Sequence, residues 1–384
     1  MRKLFYEDIN ITDFEGTVIS CEYDDKKKLY SIVLDATAFF PEEGGQSADI
    51  GTLAGQEVAD VQIKDDLIYH YVKEPVETGA IITGHVDFTQ RFDFMQQHTG
   101  EHIISGMVHT KYGYNNVGFH LSVNEVTLDF DGVLDWSQLR EIESEANKVI
   151  YQNLPIQISY PSKEELPALT YRSKIEIDGQ VRLVTIPDVD VCACCAPHVA
   201  YTGQIGIIKI TQVQSYKGGV RLHILCGERA LKDYTTKQDS VVAIAQELSA
   251  KQEQVTDAFF KLKSENQSLK EKLNDLQAKY LDLSLSSLPS PETSENAVLF
   301  TDINDNIAIR NAVNTLMERY SGYSVVFTGE EGSYRFIVGS KTKDCAELAQ
   351  KIRTELGAKC GGNKLMIQGS VDSKETTLRN IFLV

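Results

Sequence analysis

The chain has 384 residues, 42% of them hydrophobic, with 38 basic and 55 acidic side chains and a net charge of −17. That length exceeds one ordinary core and predicts about two to four domains. The acidic balance argues against general nucleic-acid binding, which needs clustered Lys and Arg, and leaves an RNA ligand only to local basic patches; no apolar run reaches the roughly eighteen residues that span a membrane.

Residues 1–88 read as a small β domain. Met1-Arg2-Lys3-Leu4-Phe5-Tyr6-Glu7 lacks a charged-then-apolar targeting pattern, so the expected location is the cytoplasm. Val18 to Tyr23 and Leu29 to Leu34 flank a turn at 24–28, and Val58 to Ile63 and Leu67 to Val72 flank Asp65-Asp66, which predicts paired hairpins. With Ile81 to Phe88 they are expected to close a β-barrel. Between the hairpins lies a glycine-rich loop from Thr37 to Gly51, which by itself reads as a tight connection needing positive φ.

Residues 89–230 predict an α/β domain that carries metal ligands. Phe94, Met95, His98, His102, Ile103, Met107 and Val108 recur at helical spacing before Gly113, so a helix is expected over 91–111. Residues i and i+4 share a helix face, which lets His98 and His102 grip one ion. A lone pair of this kind is as often two buried, hydrogen-bonded histidines. A second pair, Cys194 and His198, lies in a loop with Pro187, Pro197 and Gly203 and favours a shared zinc site of N and S donors. Seven cysteines, three of them at 192, 194 and 195, point to metal or free thiols in a reducing compartment. A second helix is expected at Ser137 to Gln152. Strands are expected at 126–130, 156–160, 181–186, 206–213 and 220–226.

Residues 231–288 predict a long helix that starts near Arg229. From Leu248, positions 252, 255, 259, 262, 266, 269, 273, 276 and 280 continue a heptad seam, with Asn266 as a polar register marker. The seam packs either on its own domain or as a coiled coil, within the chain or between two chains; a homodimer through this helix or the terminal domain is one of these alternatives. Ser284 to Pro291 reads as a linker. Residues 295–384 carry as many basic as acidic residues and predict a compact α/β unit. Its helices fall at 305–320 and 344–356, its strands at 324–328, 334–339 and 366–370, and Cys360-Gly361-Gly362-Asn363 reads as a turn.

Three ordered motifs carry a family resemblance. They are Thr37-x-Phe39-Phe40-Pro41-x-x-Gly44-Gly45-Gln46, His98-Thr99-Gly100-Glu101-His102, and Cys194-Cys195-Ala196-Pro197-His198 with Thr202-Gly203-Gln204-Ile205-Gly206. Together the set resembles the editing region of alanyl-tRNA synthetases and of the free-standing alanyl-tRNA editing proteins called AlaX. The stretch with Gly361-Gly362 and Gln368-Gly369 is similar to the small globular domain that ends those synthetases and recurs in DHH phosphoesterases. Nearly the whole chain is covered, as in a long-form AlaX, and the synthetase's aminoacylation domain has no counterpart.

The resemblance implies that His98, His102, Cys194 and His198 hold Zn2+. It implies hydrolysis of the ester joining serine, with glycine as a second case, to tRNA specific for alanine, so that mischarged tRNA(Ala) is the partner. In the family the glycine-rich motif faces the editing site. Thr37 is therefore expected to read the serine hydroxyl with Gln46 nearby, and Glu101 to act as base or as an outer hydrogen-bond partner of a ligand. Glu43, Ala196-Pro197 and Cys360 depart from the family pattern, and Cys192 and Cys195 are expected to be unused thiols. Two rivals remain: a non-catalytic zinc-stabilised RNA-binding module, and a metallopeptidase of the inverted-zincin type, since His98-x-x-Glu101-His102 fits H-x-x-E-H. The expected fold is α+β multidomain: an N-terminal β-barrel, an α/β zinc-containing editing domain, a coiled-coil-like helix and a small C-terminal α/β domain.

Overall fold

The computed structural model describes residues 1–173 and 179–383. Val384, the last residue of the unit expected at 295–384, lies outside them, as do residues 174–178 within the stretch expected at 89–230. The chain divides into two compact units, Met1–Val241 and Val242–Val384.

In the first unit both predicted hairpins form. Asp13–Asp24 pairs with Leu29–Leu34, and Asp60–Lys64 pairs with Leu67–Val72 across Asp65 and Asp66, whose φ values of 50° and 62° suit a two-residue primed turn. The expected barrel does not close. The sheet is open and seven-stranded, in the order Gln56–Glu57, Gly51–Leu53, Ile81–Val86, Asp13–Asp24, Leu29–Leu34, Leu67–Val72, Asp60–Lys64. The reason lies in the long strand Asp13–Asp24, which divides its length between two partners. Residues 13–17 pair with Ile81–Val86, residues 18–24 pair with Leu29–Leu34, and a register shift between Val18 and Ser20 lies at the start of the second run. Ile81–Val86 therefore extends one side of the sheet to Gly51–Leu53 instead of sealing it against the far hairpin.

The helix predicted at 91–111 spans Phe88–Tyr112. Asp87 caps its first turn by accepting from the Thr89 and Gln90 amides, and Gly113, at φ 72°, ends it in the left-handed region. Its inner face packs with the helix Trp136–Gln152 against a four-stranded antiparallel sheet ordered Asn116–Leu121, Val126–Phe130, Gly219–Cys226, Ile208–Tyr216. A three-stranded antiparallel sheet, Gln157–Ser159, Leu183–Ile186, Asp190–Ala193, supplies the second ligand segment.

The glycine-rich loop is clamped to this assembly. Arg91, buried in the helix, pairs with Asp49 and donates from Nη2 to the Ala38 carbonyl at 2.6 Å. On the other side, the Ser47 amide donates to Leu121 O and the Leu121 amide to Gly45 O, at 2.9 and 2.7 Å. Gly45 has φ 83°, and a Cβ there would lie 2.4 Å from the Phe119 carbonyl oxygen, so both its conformation and its contact require glycine.

A helix runs from Gly227 to Glu247, where the heptad reading expected it to continue unbroken. Ser249 takes φ 48°, a 3-10 turn covers Gln252–Gln254, and a new helix spans Val255–Ser286. The second unit is built on a five-stranded sheet ordered Ala297–Thr301, Ser324–Glu330, Ser333–Gly339, Met366–Val371, Lys359–Gly362, parallel at the first pair and antiparallel elsewhere. Helices Asn306–Arg319, Cys345–Leu356 and Glu375–Leu383 accompany it. The turn expected at Cys360 to Asn363 is instead mostly the edge strand Lys359–Gly362, because Cys360 and Gly361 pair with Gly369 and Gln368. Among the described residues no helix is long and apolar enough to cross a membrane.

Candidate metal centre

His98, His102, Cys194 and His198 converge as the sequence predicts, with one donor atom from each lying within 4.8 Å of the others. His98 and His102 are buried, and so is His198. Cys194 follows directly on the strand Asp190–Ala193 and continues its alternation, so Asp190, Cys192 and Cys194 share one face. The loop 194–198 is held by Arg182, whose Nη1 donates to Cys194 O at 2.8 Å and Ala196 O at 3.0 Å.

Hydrogen bonds around the cluster decide which nitrogen each ring offers. His98 Nδ1 lies 2.8 Å from Gln46 Oε1, an acceptor, so Nδ1 carries the proton and Nε2 presents its lone pair, 3.5 Å from Cys194 Sγ. Thr99 Oγ1 donates to Met95 O at 2.7 Å; it must therefore accept from His198 Nδ1, 3.0 Å away, which leaves His198 Nε2 facing Cys194 Sγ at 3.4 Å. His102 Nδ1 is buried and lies 3.1 Å from Asp190 Oδ2. Three rings thus have their Nδ1 atoms beside acceptors, and the Nε2 atoms of His98 and His198 point to the one sulfur. This donor set of imidazole nitrogens and a thiolate suits Zn2+, the ion whose structural and catalytic sites use these ligands.

The electrostatics separate Cys194 from its neighbours. Burial would raise its thiol, but the imidazoles, His98 foremost and then His198, outweigh it and hold Cys194 well below the usual thiol value. Burial raises the thiols of Cys192, Cys195 and Cys226 instead. Only Cys194 of this group is poised as a thiolate. Burial lowers His198 to about 3, which keeps the ring neutral and its lone pair available. Burial opposes a charge on His102 too, yet Cys192, the Asp190 carboxylate and Cys194 raise that ring; since the Cys192 thiol is itself raised, the standing negative charges beside it are those of Asp190 and the Cys194 thiolate.

The other predicted residues fall in different places. Gln46 is buried against His98 as described, and its Nε2 has no hydrogen-bond partner among the described residues. Glu101 is buried beside the ligands, with Oε1 accepting from Ser105 Oγ at 2.7 Å and Asn116 Nδ2 at 2.5 Å and Oε2 3.7 Å from His102 Nε2. Thr37 is not brought to the ligand atoms by any hydrogen bond; its hydroxyl bonds within the N-terminal unit's sheet. His70 Nδ1 donates to Ile32 O at 3.0 Å, so its Nε2 accepts from Thr37 Oγ1 at 2.8 Å, and the Phe39 amide donates to Thr37 Oγ1 at 3.1 Å. Thr37 lies next to Ala38 and Phe39, which share a core cluster with Ala196 of the ligand loop. The sequence reading missed Thr99, Asp190, Arg172, Ser105 and Asn116. Only Asp190 had a legible signal, the alternation Asp190-x-Cys192-x-Cys194.

The family model described as threonyl and alanyl tRNA synthetase second additional domain matches residues 181–223, which include Cys194 and His198. Alanyl-tRNA editing protein AlaX-L of Pyrococcus horikoshii is 25% identical, with 100% of this chain and 98% of that protein covered. Alanine–tRNA ligases of Pyrococcus furiosus and Haloquadratum walsbyi are 28% and 30% identical over 96% and 88% of the chain, which spans 42% and 38% of their lengths. The C-Ala domain of Aquifex aeolicus alanyl-tRNA synthetase covers 23% of the chain at 16% identity with a TM-score of 0.20, too low to carry an argument about fold. The chain is thus similar, from end to end, to an alanyl-tRNA editing protein of the AlaX type and, over most of its length, to the corresponding stretch of alanine–tRNA ligases.

Proposed function

We propose that this chain is a trans-editing hydrolase that removes serine, and glycine as a second acyl group, from mischarged tRNA(Ala). The observation that carries the reading is the convergence of His98, His102, Cys194 and His198 beside a buried carboxylate and a buried, unpartnered amide donor. Zinc held there would polarise the ester carbonyl or lower the pKa of a water. Gln46 Oε1 is engaged by His98, so its Nε2 is the group assigned to the ester carbonyl oxygen. Glu101 Oε2 is assigned the proton of the attacking water, with Ser105 and Asn116 holding the other carboxylate oxygen in place. Thr37 has already donated its proton to His70, so as a reader of the serine hydroxyl it acts as an acceptor. Alanine has no hydroxyl to donate to Thr37 Oγ1, which then keeps only the Phe39 amide, so serine gains a contact that alanine lacks, while glycine is not selected by this contact.

A second copy of the chain is proposed on the heptad seam. Leu262, Leu269, Leu273 and Leu276 are 51%, 63%, 53% and 63% exposed, while Leu281 and Leu285, on the opposite side of the same helix, are buried in the second unit's own core. The seam is therefore free for a partner. Asn266 on that seam faces its own counterpart only in an in-register pair. The second unit is proposed to add affinity for tRNA.

The test is deacylation of seryl- and alanyl-tRNA(Ala) by the zinc-loaded chain beside Cys194→Ala. Rapid loss of serine alone, abolished in the variant, supports the reading. Stoichiometric zinc with neither ester cleaved leaves a zinc-stabilised RNA-binding module as the better account.

A further inference from the structure

Among the described residues, Asp190 is the one carboxylate close to a ring nitrogen of the cluster that is not itself within the ligand motifs. Its Oδ2 lies 3.1 Å from His102 Nδ1, a buried atom for which the described residues offer no other partner. The carboxylate is itself gripped by Arg172, whose Nε donates to Oδ1 at 2.7 Å and Nη2 to Oδ2 at 2.8 Å. Arg172 is fixed in turn by its backbone, which donates to Val191 O at 2.8 Å and accepts from the Ala193 amide at 2.9 Å. The fork therefore travels with the strand that carries Asp190. Room for the carboxylate on the ligand helix comes from Gly106, one turn beyond His102. A Cβ at that position would lie 2.5 Å from Val189 O and 2.7 Å from Asp190 Cβ.

We infer that Asp190, oriented by Arg172 and admitted by Gly106, is the positioning residue for His102: it accepts from Nδ1–H and so presents Nε2 to the ion. This completes for His102 what Gln46 does for His98 and Thr99 for His198, each from a different part of the chain. It deepens the metal reading of the site and rests on it. The competing use of the same residues is a second ion held by His102, Asp190 and Cys192, whose donor atoms also lie within 4.8 Å of one another. Arg172 opposes it, because a guanidinium already occupies both carboxylate oxygens, and a second cation would meet that fixed charge at contact distance.

The experiment measures zinc stoichiometry and affinity, by chelator competition, on the full chain and on Asp190→Asn and Asp190→Ala, with circular dichroism to confirm the fold. One zinc per chain is expected, bound about 10–100-fold more weakly by Asp190→Ala, with a smaller loss for Asp190→Asn, whose amide oxygen still accepts from Nδ1–H. Nitrogen-15 resonances of the imidazoles should show His102 as the Nδ1–H tautomer in the zinc-loaded native chain and lose that definition in Asp190→Ala. Affinity within about threefold of native in a folded Asp190→Ala overturns the inference. So does equal damage from the two substitutions, or a second zinc per chain that disappears with Asp190. If Asp190→Ala does not fold, Gly106→Ala supplies the same test by displacing the carboxylate; unchanged affinity there also overturns it. A native chain that takes up no zinc overturns the metal reading itself, whereas native uptake indifferent to these changes overturns only the role of Asp190.

Discussion

Thr99 shows how much a ligand set depends on atoms outside it. Its hydroxyl accepts from His198 Nδ1 and from the Val199 amide while donating to Met95 O, so Thr99→Val removes the acceptor that this ring proton has among the described residues. Zinc affinity by chelator competition is expected to fall about tenfold or more, whereas Cys195→Ala, which removes a raised thiol, leaves it unchanged. His70 yields a pH dependence of stability. An imidazole ordinarily titrates near about 6.5, and burial pushes His70 down to about 4. Between those values the unfolded chain takes up a proton that the folded chain refuses. The contribution is therefore intact above about pH 6.5 and is lost as pH falls toward 4, by about 3 kcal/mol in all. Urea unfolding of native chain and His70→Gln at pH 7 and pH 4.5 should show the gap between them narrowing at the lower pH. The four ligands were legible at this scale because helical and loop spacing of four places their side chains together. Their hydrogen-bond partners were not, since Gln46 lies 52 residues from His98 and Thr99 lies 99 from His198.

At the scale of elements, the glycine-rich loop owes its place to contacts that only the fold supplies. Gly45→Ala puts a Cβ against the Phe119 carbonyl at a φ of 83° and is expected to destabilise the first unit by about 2 kcal/mol or more, read as a lower unfolding midpoint. The long helix Val255–Ser286 has two apolar faces with different duties. Leu281→Ala opens a buried site and is expected to cost the second unit about 2–5 kcal/mol. Leu276→Ala, on the exposed seam, is expected to change that unit's stability by less than about 0.5 kcal/mol at dilutions where chains are single. Hairpins and both helices of the first unit were readable because turn residues, caps and periodicity are local. Barrel closure was not, because it depends on which partner Ile81–Val86 takes, and the divided strand Asp13–Asp24 took it to the other side. The break at 248–254 was hidden for a related reason: a heptad pattern records which side is apolar, and the left-handed Ser249 interrupts the helix without interrupting the pattern.

For the whole molecule, pairing through the seam predicts a solution mass twice that of one chain, reduced to a single chain by Leu269→Glu with Leu273→Glu. A single-chain mass for the native protein would end the pairing proposal. Removing residues 251–384 at the helix break is expected to weaken tRNA binding by about a hundredfold at fixed salt, as loss of a linked second binding module does. Unchanged binding would assign recognition to the first unit alone. The sequence by itself determined the donor set, the helical and hairpin elements and the apolar seam, because each follows from spacing within a few residues or from a repeated motif. The tertiary structure decided which nitrogen His98 and His198 present, that Thr37's proton belongs to His70, that Cys194 and not Cys192 or Cys195 is the poised thiolate, and that the N-terminal sheet stays open. Those outcomes depend on burial and on hydrogen bonds between residues far apart in the chain, and such pairings leave no trace in local sequence.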